Sequence, residues 1–152
     1  MGSWIFGCDI CQQVCPWNLR FAPMQGEPDF SPRPGFPEPD LLETLALSAA
    51  EFNRRFKGSP IKRSKRRGYL RNAAIALGNQ AAGTHSLQAV ETLAGALVDV
   101  EALVRGHAAW ALGRVGGKAA CQILLQALDQ EQDEWVRSEI RDALNELGFL
   151  PE

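Results

Sequence analysis

The second half of the chain repeats a helical pattern of apolar and polar positions. Ala73-Ala74-Ile75-Ala76-Leu77-Gly78 returns 35 residues later as Ala108-Ala109-Trp110-Ala111-Leu112-Gly113. Val104-Arg105 returns as Val136-Arg137 and Ala111-Leu112 as Ala143-Leu144, both at an offset of 32. Partner helices are expected over about Leu87 to Val98 and Ala119 to Leu128, set off by turns at Gly83 and Gly116-Gly117. A helical unit that recurs at this period, with Ala and Leu inside and Arg at a fixed place, predicts an α-solenoid. Small alanines let helices approach closely, while Leu and Ile fill the gaps. Trp110 is expected in the core and His107 near a repeat seam, and the repeats offer no nucleophile–base constellation.

The repeats resemble short HEAT-like repeats. Ahead of them, Asp40 with Glu43 and Ser48 with Glu51 form two capping-box patterns. They predict short helices from Leu41 to Leu47 and from Ser48 through Phe56, the second ended by Gly58. Ser59-Pro60 supplies a cap and a first-turn proline for a third helix, expected to run through Ile61 to Tyr69. Six of the nine prolines fall between Ala22 and Asp40, so that stretch reads as an extended connector. The chain therefore divides into a cysteine segment (1–22), a Pro-rich linker (23–40) and a mostly α helical-repeat domain (41–152).

Charge changes this picture. The net charge is only −2, yet Arg54, Arg55, Lys57, Lys62, Arg63, Lys65, Arg66, Arg67 and Arg71 crowd into 54–71 with no Asp or Glu among them. Helices charged only for solubility interleave both signs, so a block of one sign points to an anionic partner. On a continuous helix Lys62, Lys65 and Arg66 would share one face, with Arg63 and Arg67 beside it. Such a strip suits a phosphate backbone, and these nine residues are the candidate nucleic-acid contacts.

The cysteines add chemistry. Cys8-Asp9-Ile10-Cys11-Gln12-Gln13-Val14-Cys15-Pro16 has the form of the tail of Cys-x2-Cys-x2-Cys-x3-Cys-Pro, the iron–sulfur motif of two-cluster ferredoxins. A 4Fe–4S cluster takes four thiolates. The fourth cysteine, Cys121, lies in helical sequence beside Ala119, Ala120, Ile123 and Leu124 and reads as a small buried hydrophobe. Zinc is disfavoured because there is no second Cys-x2-Cys and the two histidines, His85 and His107, stand apart. With no export signal a disulfide framework is not expected, and the chain is assigned to the cytoplasm. No apolar run approaches the ~18 residues of a membrane span. Met1-Gly2-Ser3 fails as a myristoylation signal because Phe6 stands where Ser or Thr is needed.

Three strings carry a more specific resemblance: 5–18, ending Cys15-Pro16-Trp17-Asn18; then Phe56-Lys57-Gly58-Ser59-Pro60-Ile61-Lys62-Arg63; then Leu70-Arg71-Asn72-Ala73-Ala74-Ile75-Ala76-Leu77-Gly78-Asn79. Together they resemble the C-terminal portion of the epoxyqueuosine reductases, which complete queuosine at the tRNA wobble position. That resemblance implies two 4Fe–4S clusters, with Cys8 and Cys11 ligating one and Cys15 closing the other. It further implies cobalamin on an N-terminal domain absent from this chain, and the tRNA anticodon arm lying against the basic strip. Electrons would pass through the clusters to cobalamin, which reduces the epoxide. Without the cobalamin domain and the first cysteine motif, the chain is expected to be inactive alone and not to bind cobalamin. The missing domain, supplied as a separate chain, is a candidate partner. Two other readings stay open: a stand-alone helical-repeat RNA-binding or scaffold module with a vestigial cysteine motif, and a small electron-transfer protein that completes its clusters between two chains.

Overall fold

A computed structural model describes residues 2–22 and 39–149, and all regular structure among them is helical. The Pro-rich connector, apart from Pro39 and Asp40, lies outside the described residues. Two short helices, α1 (Ile10–Gln13) and α2 (Pro16–Phe21), carry the cysteine segment. They are followed by α3 (Leu41–Leu45), α4 (Ala49–Arg55), a 3-10 turn (Pro60–Ser64), α5 (Lys65–Gln80), α6 (Leu87–Ala96), α7 (Ala102–Val115), α8 (Gly117–Gln130) and α9 (Glu134–Glu146). No described helix is long and apolar enough to cross a membrane.

The caps explain the starts. Ser48 accepts from the Glu51 N–H while Glu51 accepts from the Ser48 N–H, a complete capping box for α4. Asp40 accepts from the Leu42 and Glu43 N–H groups, so it caps α3 without the reciprocal bond from Glu43. That helix is shorter than the pattern predicted and stops at Leu45. The expected single helix from Ile61 to Tyr69 does not form. Ser59 caps a 3-10 turn through the Ile61 N–H, and Lys65 then takes φ +57° before α5 proceeds. The shared face of Lys62, Lys65 and Arg66 inferred from 3.6-residue spacing is therefore broken at Lys65.

The repeats stack in two layers. α5, α7 and α9 lie side by side, and α6 and α8 pack across them, with α3 closing the near end against α5 and α6. The core between the layers is Leu70, Leu93, Leu112, Leu124, Ile140 and Leu144 with the valines 90, 104, 115 and 136, all sealed from solvent. Alanines 73, 74, 76, 108, 109 and 111 are fully buried, as the repeat predicted. Cys121 is buried in α8 and Trp110 is half-buried against the core. The repeated glycine marks the closest approach. A Cβ at Gly78 would lie 2.8 Å from the Ala111 Cβ, and one at Gly113 would lie 2.9 Å from the Ala143 Cβ. The Ala-Leu-Gly word recurs because both interfaces of α7 are made at backbone distance.

Arginines rivet one edge of this stack. Arg66 donates from Nε to the Leu47 carbonyl (2.6 Å) and in a fork to Asp99 (3.1 and 2.6 Å). Arg105 donates in a fork to Glu131 (2.7 and 2.9 Å) and to the Asp99 carbonyl (3.0 Å). Arg137 donates to the Leu128 and Glu131 carbonyls (2.8 and 2.9 Å). Each arginine near the start of a layer helix thus satisfies carbonyls at a turn that would otherwise be left unpaired. Burial pushes the Asp99 carboxyl up, but hydrogen bonds from Arg66 and the Glu101 N–H outweigh it and hold it below its ordinary value. The Arg105 hydrogen bonds hold the Glu131 carboxyl down to about 2, from an ordinary 4.5.

The close helix approach makes a stability prediction. Gly78→Ala should lower the unfolding free energy by about 1–3 kcal/mol, because the new methyl meets Ala111 backbone as well as side chain. Gly95→Ala, in α6 with open space around it, should instead be neutral or stabilise by about 0.5–1 kcal/mol. Urea midpoints of the two variants decide this, and equal shifts would refute the packing argument. The arginine forks make another. Because the Glu131 pKa is depressed, its contribution is full above pH 4.5 and is lost as pH falls towards about 2. The melting temperature of the wild type should drop through that window, and Glu131→Gln should be less stable at neutral pH with a flatter profile below it.

Candidate functional site

The cysteine segment is built by turns rather than long helices. Gly7 and Asp9 both take positive φ (+61° and +47°), which swings the chain past Cys8 and into α1. The Asp9 carbonyl then accepts from Gln12 and Gln13 (both 2.9 Å). Pro16 opens α2 directly after Cys15, where its missing N–H costs nothing, and this is the physical meaning of the Cys-Pro step. Asn18 Nδ2 donates to the Gln12 carbonyl (3.2 Å) and ties the two helices together. Trp17 stacks on Phe21 with centroids 5.4 Å apart.

Cys8 and Cys11 are exposed and Cys15 is half-exposed. Among the described residues no group of three His, Cys, Asp or Glu side chains is arranged to hold a metal ion. Cys121 is buried in another part of the fold and cannot serve as the fourth thiolate. Alone, this donor set does not fit a whole cluster.

The segment is nevertheless docked. Ile5 is buried, Asn72 Nδ2 donates to the Ile5 carbonyl (2.6 Å), and Asn79 Nδ2 donates to the Gly2 carbonyl (2.8 Å). Both asparagines stand on α5, two turns apart on the same side. The sequence pattern passed over them as candidates. The signal was the placing of two poor helix formers inside an alanine-rich helix, which calls for a bonding role.

The nine basic residues are spread over the end of α4, the turn at Lys57, the 3-10 turn and the first half of α5, a hairpin closed by an aromatic cluster. Phe52, Phe56 and Tyr69 are buried with centroids 4.9 to 5.9 Å apart. Burial in that cluster pushes the Tyr69 hydroxyl pKa up, against the pull of Arg55. Arg54 and Arg55 end α4, where cations complement the helix dipole, and Arg55 lies over the Phe56 ring (5.9 Å). Arg54, Lys57, Lys62, Arg63, Lys65 and Arg67 are exposed, while Arg55, Arg66 and Arg71 are half-buried.

Their partners divide them further. Arg66 is committed to Asp99 and Leu47 and is 20% exposed. Arg67 stands 3.8 Å from Glu101 at the surface, a pairing of small worth. Lys57, Lys62, Arg63 and Lys65 have no carboxylate partner among the described residues. Arg71 donates from Nε and Nη2 to the Asn72 Oδ1 (2.9 and 2.8 Å) and to no carboxylate among the described residues.

The thiol environments can be checked chemically. Three of the four cysteines should react with Ellman's reagent in the native protein. Cys121, whose thiol pKa burial pushes up, should react only on unfolding. Fast titration of all four thiols would contradict a closed α8 core, and titration of only one would contradict an exposed cysteine segment.

Comparison with known proteins places the chain. A family model described as HEAT repeats matches residues 62–145. Epoxyqueuosine reductase of Xanthomonas campestris is 45% identical over 116 residues, covering 76% of this chain and 32% of that protein. The Pseudomonas aeruginosa enzyme of the same name is 42% identical over 116 residues, covering 76% of this chain and 31% of that protein. A crystal structure of epoxyqueuosine reductase with a tRNA-Tyr epoxyqueuosine-modified tRNA stem loop superposes with a TM-score of 0.84 at 32% identity, covering 97% of this chain and 38% of that one. The chain spans about a third of the length of the curated relatives it matches.

Proposed function

We propose that this chain, which belongs to the HEAT-repeat family, acts as the C-terminal portion of an epoxyqueuosine reductase, binding tRNA and supplying part of a cluster ligand set. The observation that carries the RNA half is a hairpin of exposed cations without carboxylate partners, fixed to a rigid repeat stack. Its support from outside is that a solved relative of the same fold is described with a modified tRNA stem loop. The anticodon arm of tRNA is the partner, and the cytoplasm the compartment. The division into 1–22, 23–40 and 41–152 goes with this reading.

Phosphates meet Lys57, Lys62, Arg63 and Lys65 first, since these side chains give up only water to bind. Arg54, Arg55, Arg67 and Arg71 extend the surface, and Arg66 anchors it from beneath. In the same reading Cys8, Cys11 and Cys15 give thiolates to 4Fe–4S clusters completed by residues of the N-terminal portion. The clusters and the cobalamin held there would supply the reduction of the epoxide. This chain's own part is to hold the RNA and present the cysteines. Trp17, Leu19 and Phe21, which are 71, 75 and 60% exposed beside those cysteines, favour a covering partner over a vestigial stub.

The test is salt-dependent binding. Lys57, Lys62, Arg63 and Lys65 changed together to Ala should weaken binding of a tRNA anticodon stem-loop. The slope of log K against log salt should fall by about 0.7 to 0.9 for each phosphate that is no longer neutralised. A slope equal to that of the wild type would remove the phosphate-binding reading. Return of epoxide reduction on adding a cobalamin-binding N-terminal half separates the reductase reading from a stand-alone RNA-binding module.

A further inference from the structure

Among the described half-buried arginines of the repeats, Arg66 and Arg105 are paired in forks with carboxylates, and Arg137 is held by two carbonyls. Arg71 differs. It is half-buried and has no carboxylate partner among the described residues, and its guanidinium is gripped on one edge by the side-chain oxygen of Asn72. A guanidinium has five N–H donors. The Asn72 oxygen takes one on Nε and one on Nη2, which leaves the Nη1 end for another acceptor. The same Asn72 amide donates through Nδ2 to the Ile5 carbonyl, three residues before Cys8. It also lines an open cavity of about 680 Å³ together with Trp4, Phe6, Cys8, Ile10 and Ser64.

We propose that Asn72 is a positioning residue that couples the two halves of the site. Its oxygen sets Arg71 as an oriented phosphate contact, and its nitrogen holds the cysteine segment beside that contact. RNA bound through Arg71 is thereby placed against the cavity that contains Cys8. The inference rests on the RNA-binding reading and adds a residue to it. An amide is suited to the task because it offers an acceptor to the cation and a donor to the carbonyl at once. Aspartate would keep the acceptor but neutralise the cation and lose the donor. Alanine would lose both.

A double-mutant cycle on the full chain tests this, with anisotropy of a labelled tRNA anticodon stem-loop as the readout. Arg71→Ala and Asn72→Ala should each weaken binding about fivefold to tenfold, and the double variant should be no worse than Arg71→Ala alone. A residue that merely braced the fold would weaken binding by the same factor in either background. Iodoacetamide labelling of Cys8 should be faster in Asn72→Ala, and bound RNA should slow it in the wild type but not in Asn72→Ala. Asn72→Asp, which keeps the side-chain volume if Asn72→Ala folds poorly, should also weaken RNA binding and speed Cys8 labelling. If the wild type fails to bind the RNA, the RNA reading falls and this inference with it. If the wild type binds and the two substitutions are additive, or labelling of Cys8 ignores RNA, the coupling alone is overturned.

Discussion

The fork from Arg66 to Asp99, with its third bond to the Leu47 carbonyl, is the interaction on which the rest of the molecule hangs. It joins the turn after α3, the start of α5 and the turn after α6, and so attaches the basic hairpin to the repeat stack. Asp99 passes the link on, because its own carbonyl accepts from Arg105, which in turn grips Glu131. The stack is thus registered along one edge by charge-assisted bonds and along its interior by glycine–alanine contacts. Neither alone defines a single arrangement. Alanine faces slide easily, and forks to carboxylates are what fix their register.

This explains how nine cations can share eighteen residues without tearing the hairpin apart. Like-charge repulsion acts through water for the six exposed side chains, where screening at physiological salt limits its range to about 8 Å. The half-buried members are the costly ones, and each has its own answer. Arg66 meets a carboxylate, Arg55 lies over an aromatic ring, and Arg71 meets an amide dipole. The amide orients its cation and leaves the positive charge uncompensated. What remains at the surface is a field available to an anionic ligand, held on the repeat stack.

The parts of this arrangement that repeat were readable from sequence. Ala73–Gly78 and Ala108–Gly113 declare the layer helices, and Ser48 with Glu51 declares a helix start, because period and capping are local properties. The basic strip was legible as composition but not as geometry. Spacing treated Ile61 to Tyr69 as one helix, whereas a 3-10 turn and the positive φ at Lys65 divide it, and Arg66 is turned inward to a residue 33 positions away. Asn72 and Asn79 were invisible as site residues for the same reason: what they bond lies 67 and 77 residues earlier in the chain. The three cysteines named a chemistry through spacing alone. Their place in the fold, on turns at Gly7 and Asp9 and at the start of α2, is set by backbone conformation that spacing does not encode.

The energetics of the cysteine segment give its behaviour. Residues 2–22 bury one large side chain, Ile5, and leave Trp17, Leu19 and Phe21 mostly in water. Two side-chain hydrogen bonds, each with a net worth of about 1 kcal/mol, and one buried isoleucine hold the segment on α5. The repeats behind it are held by a continuous core and three arginine rivets. Local opening must therefore begin at the segment, at a free energy well below that of global unfolding. A ligand that orders Arg71 also orders Asn72, and with it the carbonyl of Ile5. Stability added by an anion bound at Arg71 would in that way pass to the element with least of its own, which is the element that carries the thiols.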